Sequence, residues 1–287
     1  MFEGLGLSGC KLEMLSDNII RKHSSNKEYN LRLSIQIDKQ DLFGKYVFSN
    51  IDTPKIIKKY KNNLIYFDME YIKGCGYYEY FSTISPKNIQ KIFNFLDEYF
   101  QFLINNSHQY KKEVVKGKIK NKLLSFKSKN YSHLIKFVLK YLDDIDINVR
   151  KSFCHGDLTV SNILFHPQKI YLIDFLDSYI DTFLLDLVKL KQDLYYHWIL
   201  KVNNSKNLRI IQCFNFIWNY IETKYSEYLH TDIFYVLELL NFLRIEPYLT
   251  NINQRIILNS IIEKTFFYGK FTCSNGRKIH KISGYKI

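Results

Sequence analysis

The sequence predicts an α+β protein of two lobes, a small β-rich one followed by a larger, mostly helical one. Three observations carry this reading. β-Branched and aromatic stretches separated by turn residues crowd the first seventy positions. Apolar residues recur at helical spacing through most of the remainder. A single short interruption of β character, from 152 to 173, breaks the helical part. The lobe boundary is expected near Gly74, giving 1–73 and 74–287.

The elements follow in order. Gly4 to Gly9 is a glycine-rich turn. Cys10–Leu15 and Asn18–Lys22 flank the turn signal Ser16-Asp17 and predict a hairpin. Ser25-Asn26-Lys27-Glu28 has capping-box spacing and should open a helix reaching about Gln40. Lys45–Phe48, Ile56/Ile57 and Leu64–Met69 are further strand candidates. Ser85-Pro86 places proline at a first helical position, and Ile89, Ile92, Phe93, Leu96, Phe100 and Leu103 follow on one face. Helices are expected over 111–126, 131–143, 181–201, 206–226, 230–248 and 252–268. The interrupting strands are Ser152–Cys154, Ile163–Phe165 and Ile170–Ile173.

Composition bounds the function classes. Of 287 residues, 46% are hydrophobic and 24% charged, the balance of a globular rather than a disordered chain. No apolar run of about 18 residues suggests a transmembrane helix. The N-terminus lacks the basic-then-apolar layout of a signal peptide. Five cysteines, at 10, 75, 154, 213 and 273, show no CxxC spacing, which argues against a disulfide framework or a zinc site and fits a reducing cytoplasm. The net charge is +13. Its basic stretches, Lys111 to Lys129 and the tail 270–287, lack the interleaved aromatics of a stacking platform. They read as solvated lysines, and a nucleic-acid partner is not expected. The oligomeric state is open.

The chemistry concentrates in FCHGDLTVSNILFHPQKIYLIDFLD, residues 153–177. A short apolar segment delivers His155-Gly156-Asp157 into a loop, and Asn162 comes five residues after Asp157. The strand Ile163–Phe165, the turn His166-Pro167-Gln168-Lys169 and a second strand then present Asp174 beside Asn162. A hairpin of this length brings Asn162 and Asp174 to one end of adjacent strands, close enough to share a cation, with Asp157 facing the same space. Phosphoryl transfer needs this set: oxygen ligands for Mg²⁺ and a carboxylate to orient an attacking hydroxyl and accept its proton.

These residues resemble the aminoglycoside phosphotransferase and choline kinase family, relatives of the protein kinases. His155 to Asn162 matches that family's H-G-D-x-x-x-x-N catalytic loop, and Ile173-Asp174-Phe175 its I-D-[FW] segment. The resemblance implies a protein-kinase-like fold, ATP and Mg²⁺ as cofactors, Asp157 as catalytic base, and Asn162 and Asp174 as magnesium ligands. It further implies that Asp186 of Asp186-Leu187-Val188 braces the catalytic loop. Met69-Glu70-Tyr71-Ile72 looks like the kinase hinge, where Glu70 and Ile72 would offer backbone groups to the adenine edge. Gly6, Ser8 and Gly9 would turn over the phosphates. The phosphate-binding lysine should sit on the third strand, within Ile19 to Lys22. Lys22 is the choice and Arg21 the rival, since alternation turns only one of them inward. The sequence departs from the family at the helix that follows, where Gln36 and Gln40 stand in place of a lysine-pairing glutamate. Either Gln36 hydrogen-bonds the lysine without neutralising it, or the register differs.

The resemblance covers about residues 4 to 200 and implies a small-molecule kinase acting on a hydroxyl acceptor: an aminoglycoside, a sugar derivative or an amino alcohol. Net basicity leans this toward a neutral or anionic acceptor such as a sugar metabolite. Tyr195, Tyr196, His197, Trp198 and Trp218 are candidates for an acceptor pocket or for core. Only six residues, Phe175 to Ile180, separate Asp174 from Asp181, the expected cap of the next helix. That leaves no room for an activation loop or a peptide platform. The alternative is a catalytically weak, nucleotide-binding scaffold of the same fold, for which the missing glutamate is the best argument.

Overall fold

Alternating burial organises the N-terminal strands into a sheet, and one helix covers it. The computed structural model describes residues 10–61 and 64–268, so Gly6, Ser8, Gly9 and the basic tail lie outside the described residues. Strands β1 (Cys10–Ser16) and β2 (Ile19–Ser24) form the expected hairpin. Asn26 then caps a 3₁₀ turn, Lys27–Tyr29, before helix α1 (Asn30–Phe43) begins. The helix thus starts later than the capping-box spacing suggests, because the Asn26 side chain satisfies the Tyr29 N–H. After β3 (Ile51–Asp52) come β4 (Ile56–Lys61) and β5 (Ile65–Glu70). The sheet order is β1-β2-β5-β4, antiparallel throughout. Leu33 and Ile37 of α1 pack with Cys10, Phe67 and Met69, and each fully buried side chain of this size contributes about 1.5–3 kcal/mol.

The strand expected at Lys45–Phe48 does not form. Its aromatics serve packing instead. Phe48 stacks on Phe43 at 5.0 Å and meets the edge of Phe102, while Val47 is fully exposed. A short helix unforeseen in the sequence, α2 (Tyr77–Thr83), precedes α3 (Pro86–Asn105). Ile92, Leu96, Phe100 and Leu103 of α3 are buried, as their periodicity requires.

Beyond α3 run β6 (His108–Gln109), α4 (Lys112–Leu124), α5 (Ser132–Asp144) and β7 (Arg150–Lys151), with β6 and β7 paired antiparallel. The strand expected at Ser152–Cys154 is therefore displaced to Arg150–Lys151, where Gln109 and His108 supply partners. Strands β8 (Ile163–Phe165) and β9 (Ile170–Leu172) make the expected hairpin, and β3 joins β9 in parallel to complete a three-stranded sheet. The remaining helices are α6 (Phe183–Leu194), α7 (Trp198–Val202), α8 (Leu208–Lys224), α9 (Ser226–Leu229), α10 (Asp232–Ile245) and α11 (Ile252–Tyr268).

Two expected helix extents are corrected here. The 181–201 stretch is broken between α6 and α7, where His197 adopts a left-handed backbone, φ 55°. Helix α6 is capped by Thr182, whose side chain accepts from the Leu184 N–H, rather than by Asp181. The chain divides into two compact units: 1–102 with 155–178, and 103–154 with 179–287. The β8–β9 hairpin belongs with the sheet and α1 in the first; helices α4 to α11 make the second. The second unit is helical to its centre, with every α10 residue from Ile233 to Leu243 buried except Tyr235. Among the described residues no helix is long and apolar enough to cross a membrane.

Candidate active site

Strand alternation turns Lys22 inward and Arg21 outward. Lys22 is 3% exposed, and its Nζ donates to Asp174 Oδ1 at 2.7 Å and to Gln36 Oε1 at 3.0 Å. Arg21 forms a two-pronged pair with Asp68, at 2.6 and 2.9 Å, and lies over the Tyr66 ring at 4.4 Å. Of the two alternatives left by the sequence for Gln36, the hydrogen bond is present. An amide oxygen accepts from the lysine without neutralising it, so Asp174 supplies the anionic charge of the pair.

The catalytic-loop sequence folds as a set of interlocking turns. Thr159 N–H donates to the Asp157 carbonyl at 2.7 Å, and Asn162 N–H to the Thr159 carbonyl at 3.0 Å. Asn162 Nδ2 reaches back to the Asp157 carbonyl at 2.7 Å and to its Oδ2 at 3.1 Å. Across the β8–β9 hairpin, Ile173 N–H donates to the Asn162 carbonyl at 3.0 Å. Asp157, Asn162 and Asp174 are therefore tied together through a chain of direct bonds. Asp174 itself has φ 60°, a left-handed conformation that a non-glycine residue holds only where surrounding bonds over-determine it.

His155 is the pin beneath the loop. Its Nδ1 accepts the Asp157 N–H at 3.2 Å and its Nε2 donates to the Ile173 carbonyl at 2.8 Å. One ring thus spans the two segments that carry Asp157 and Asp174, and Phe175 packs on it at 4.4 Å. Complete burial pushes its pKa down to about 4, so the imidazole is neutral in the folded protein. Gly156 follows at φ 85°, where a Cβ would stand 2.4 Å from the Leu176 carbonyl oxygen. Only glycine fits.

The donor set suits magnesium. Asn162 commits its amide nitrogen to Asp157, which leaves Oδ1 as a ligand atom. Asp174 gives Oδ1 to Lys22 and makes no Oδ2 bond to any described residue. These are hard oxygen donors. Among the described residues no three or more His, Cys, Asp or Glu side chains converge. Mg²⁺ is ordinarily held by one or two carboxylates together with substrate phosphates.

Other expected site residues are placed as follows. Glu70 ends β5, and its N–H donates to the Lys55 carbonyl at 3.0 Å. Tyr71 N–H is taken by the Asn18 carbonyl at 2.9 Å, while Ile72 N–H donates to none of the described residues. Gly6, Ser8 and Gly9 lie outside the described residues. Asp186 is fully buried on α6. Of the aromatic candidates, Tyr196, Trp198 and Trp218 are buried and Tyr195 is exposed. Tyr195, Tyr196 and Trp218 surround the ammonium of Lys191 at 5.4–5.8 Å beside its ion pair with Glu238 at 2.9 Å. Tyr196 and Trp218 thus pack beside a lysine–glutamate pair, with Tyr195 at its exposed edge.

The sequence reading did not foresee Lys39. Its Nζ donates to the Leu176 carbonyl at 2.7 Å and to Ser178 Oγ at 3.3 Å. The available signal was its position three residues after Gln36, on the same face of α1.

Comparison with known proteins bears on the fold and the family. The model of the phosphotransferase enzyme family matches residues 113–201. No curated protein matches by sequence. Among solved structures, aminoglycoside phosphotransferase APH(2″)-IIa with streptomycin and ATP aligns at TM-score 0.51 and 13% identity, covering 92% of both chains. A thermostable mutant of aminoglycoside phosphotransferase APH(4)-Ia with ADP and hygromycin B aligns at TM-score 0.59 and 10% identity, covering 90% of this chain and 94% of that one. A candidate fructosamine-3-kinase of Thermobifida fusca aligns at TM-score 0.51 and 11% identity, covering 88% of each. The chain has the kinase-like α+β fold, and its residues 113–201 are similar to the phosphotransferase enzyme family.

Proposed function

We propose that the protein is a small-molecule kinase that transfers the γ-phosphoryl group of ATP to a hydroxyl acceptor. The observation that carries this is the bonded set Lys22, Asp157, Asn162 and Asp174, assembled on the H-G-D loop and its hairpin. Asp157 receives the acceptor's proton as its oxygen bonds to phosphorus and the bond to the ADP oxygen breaks. Lys22 contacts the nucleotide phosphates, and the backbone of Glu70 and Ile72 faces the adenine. Asn162 and Asp174 hold Mg²⁺, which when bound neutralises phosphate charge. Residues 1–73 carry the nucleotide-binding lobe. The four described cysteines are free, which supports a cytoplasmic setting.

The solved relatives include complexes with streptomycin and with hygromycin B. For this chain the net charge of +13 supports a neutral or anionic acceptor, such as a sugar derivative, over a polycationic one. The test is a panel of sugars, aminoglycosides and amino alcohols incubated with Mg·ATP and read by ³¹P NMR for a new phosphate ester. An ester that appears with wild type and not with Asp157→Asn supports the reading. A protein that binds Mg·ATP yet esterifies nothing in a broad panel would favour a nucleotide-binding scaffold, the reading that the neutral Gln36 supports.

A further inference from the structure

We propose that Lys39 is a positioning residue that ties helix α1 to the segment following Asp174, three residues beyond the Gln36 that stands where a helix carboxylate is missing. The inference rests on the kinase reading above and deepens it. Helix α1 carries Gln36 and Lys39 at i and i+3, on one face. Through Gln36 it holds the Lys22 ammonium, and Lys22 in turn holds Asp174. Through Lys39 it holds Leu176 and Ser178 directly, at 2.7 and 3.3 Å. The helix therefore grips this segment at two points, one indirect, from Gln36 through Lys22, and one direct, from Lys39.

Leu176 is the node of the second grip. Its N–H donates to the His155 carbonyl at 2.9 Å, and its own carbonyl receives Lys39. The same carbonyl is what excludes a Cβ at Gly156, and that missing Cβ would stand 3.5 Å from Lys39 Nζ. Catalytic loop, metal-binding segment and α1 converge on one peptide group. Two residues upstream, Asp174 sits at φ 60°, a conformation that relaxes unless both flanks are fixed. Lys39 is the direct tie, a charge-assisted hydrogen bond from the helix to the Leu176 carbonyl, whereas Gln36 acts only by way of Lys22. By fixing Leu176 it holds the segment that carries Asp174.

The experiment uses the full-length protein and needs no acceptor. Hydrogen exchange of the peptide spanning 174–178 is compared in wild type, Lys39→Met and Lys39→Arg without nucleotide, and Mg·ATP affinity is measured by calorimetry. Lys39→Met should speed exchange in 174–178 at least tenfold and weaken Mg·ATP about tenfold, leaving binding of metal-free ATP nearly unchanged. Lys39→Arg, which keeps a charged donor, should recover most of both. Should the methionine variant fold poorly, Lys39→Gln provides the comparison, with an intermediate loss expected. Wild-type exchange in either neutral variant, or faster exchange with unchanged Mg·ATP affinity, overturns the proposal. Absence of Mg·ATP binding to the wild type would overturn the kinase reading itself, whereas wild-type binding that Lys39 variants leave intact would overturn the positioning role alone.

Discussion

Lys22 Nζ and Asp174 Oδ1 meet at 2.7 Å across 152 residues of sequence, with the lysine buried and the aspartate side chain 40% exposed. The pair joins a strand of the first sheet to the end of the β8–β9 hairpin. Its asymmetry is informative. The ammonium is fixed from below by Gln36, while the exposed side of the carboxylate can accept a cation from solvent.

Asp157→Asn should lower kcat by about 10² or more and leave ATP affinity nearly intact. The change keeps the shape of the side chain but removes proton acceptance and the charge that orients the hydroxyl. Turnover above about a tenth of wild type would remove Asp157 from the role of base.

Asp174→Ala should act on binding as well as on chemistry. It deletes the proposed metal ligand, which is also the carboxylate that Lys22 holds, so Mg²⁺-dependent nucleotide binding should weaken and transfer should be lost. Calorimetry is the check; unchanged Mg·ATP affinity would contradict the assignment.

Lys22→Ala should raise the KM for ATP and lower kcat, whereas Arg21→Ala should leave both nearly unchanged. The second variant instead strands Asp68, which is 6% exposed and paired with Arg21. Its effect belongs in a melting curve rather than in kinetics. If the kinetic defects fall on Arg21, the inward lysine is not the phosphate contact.

His155 predicts an acid limit to stability. Its pKa falls from the ordinary 6.5 to about 4 on burial, so the unfolded chain takes up the proton first as pH drops. Stability from this group is fully present above pH 6.5 and is lost between there and about 4, a loss on the order of 3 kcal/mol. Thermal melts across this range should show the decline in wild type, and His155→Gln should flatten it. Parallel curves for the two proteins would mean that other groups set the acid limit.

Much of this was legible because local chemistry and fold agree. Asp157 and Asn162 sit five apart in a loop that leads into the apolar strand β8, and the turn His166 to Lys169 fixes the hairpin that brings Asp174 alongside. Alternation required that only one of Lys22 and Arg21 face inward, and burial of Lys22 shows which. What misled were residues whose composition suits two states. Tyr46, Val47 and Phe48 read as a strand, but no neighbouring edge pairs with them and Phe48 is used to cover Phe43. The break at His197 is invisible to periodicity, since Tyr195, Tyr196 and Trp198 continue the apolar pattern while the backbone turns left-handed. Lys39 went unread because its partner is a main-chain carbonyl, which leaves no mark in side-chain patterns.

The division of the chain also sets an order of events during synthesis. Residues 155–178 complete the unit begun by 1–102, yet 103–154 are made in between. At ~5–20 residues per second, Lys22 leaves the ribosome about 10–30 s before Asp174 does. Through that interval β3 lacks the partner strand β9, whose Ile170 and Tyr171 align with Ile51 and Asp52. The sheet and α1 can collapse early on Leu33, Ile37 and Phe67, but the pairing of Lys22 with Asp174 cannot form until the hairpin arrives.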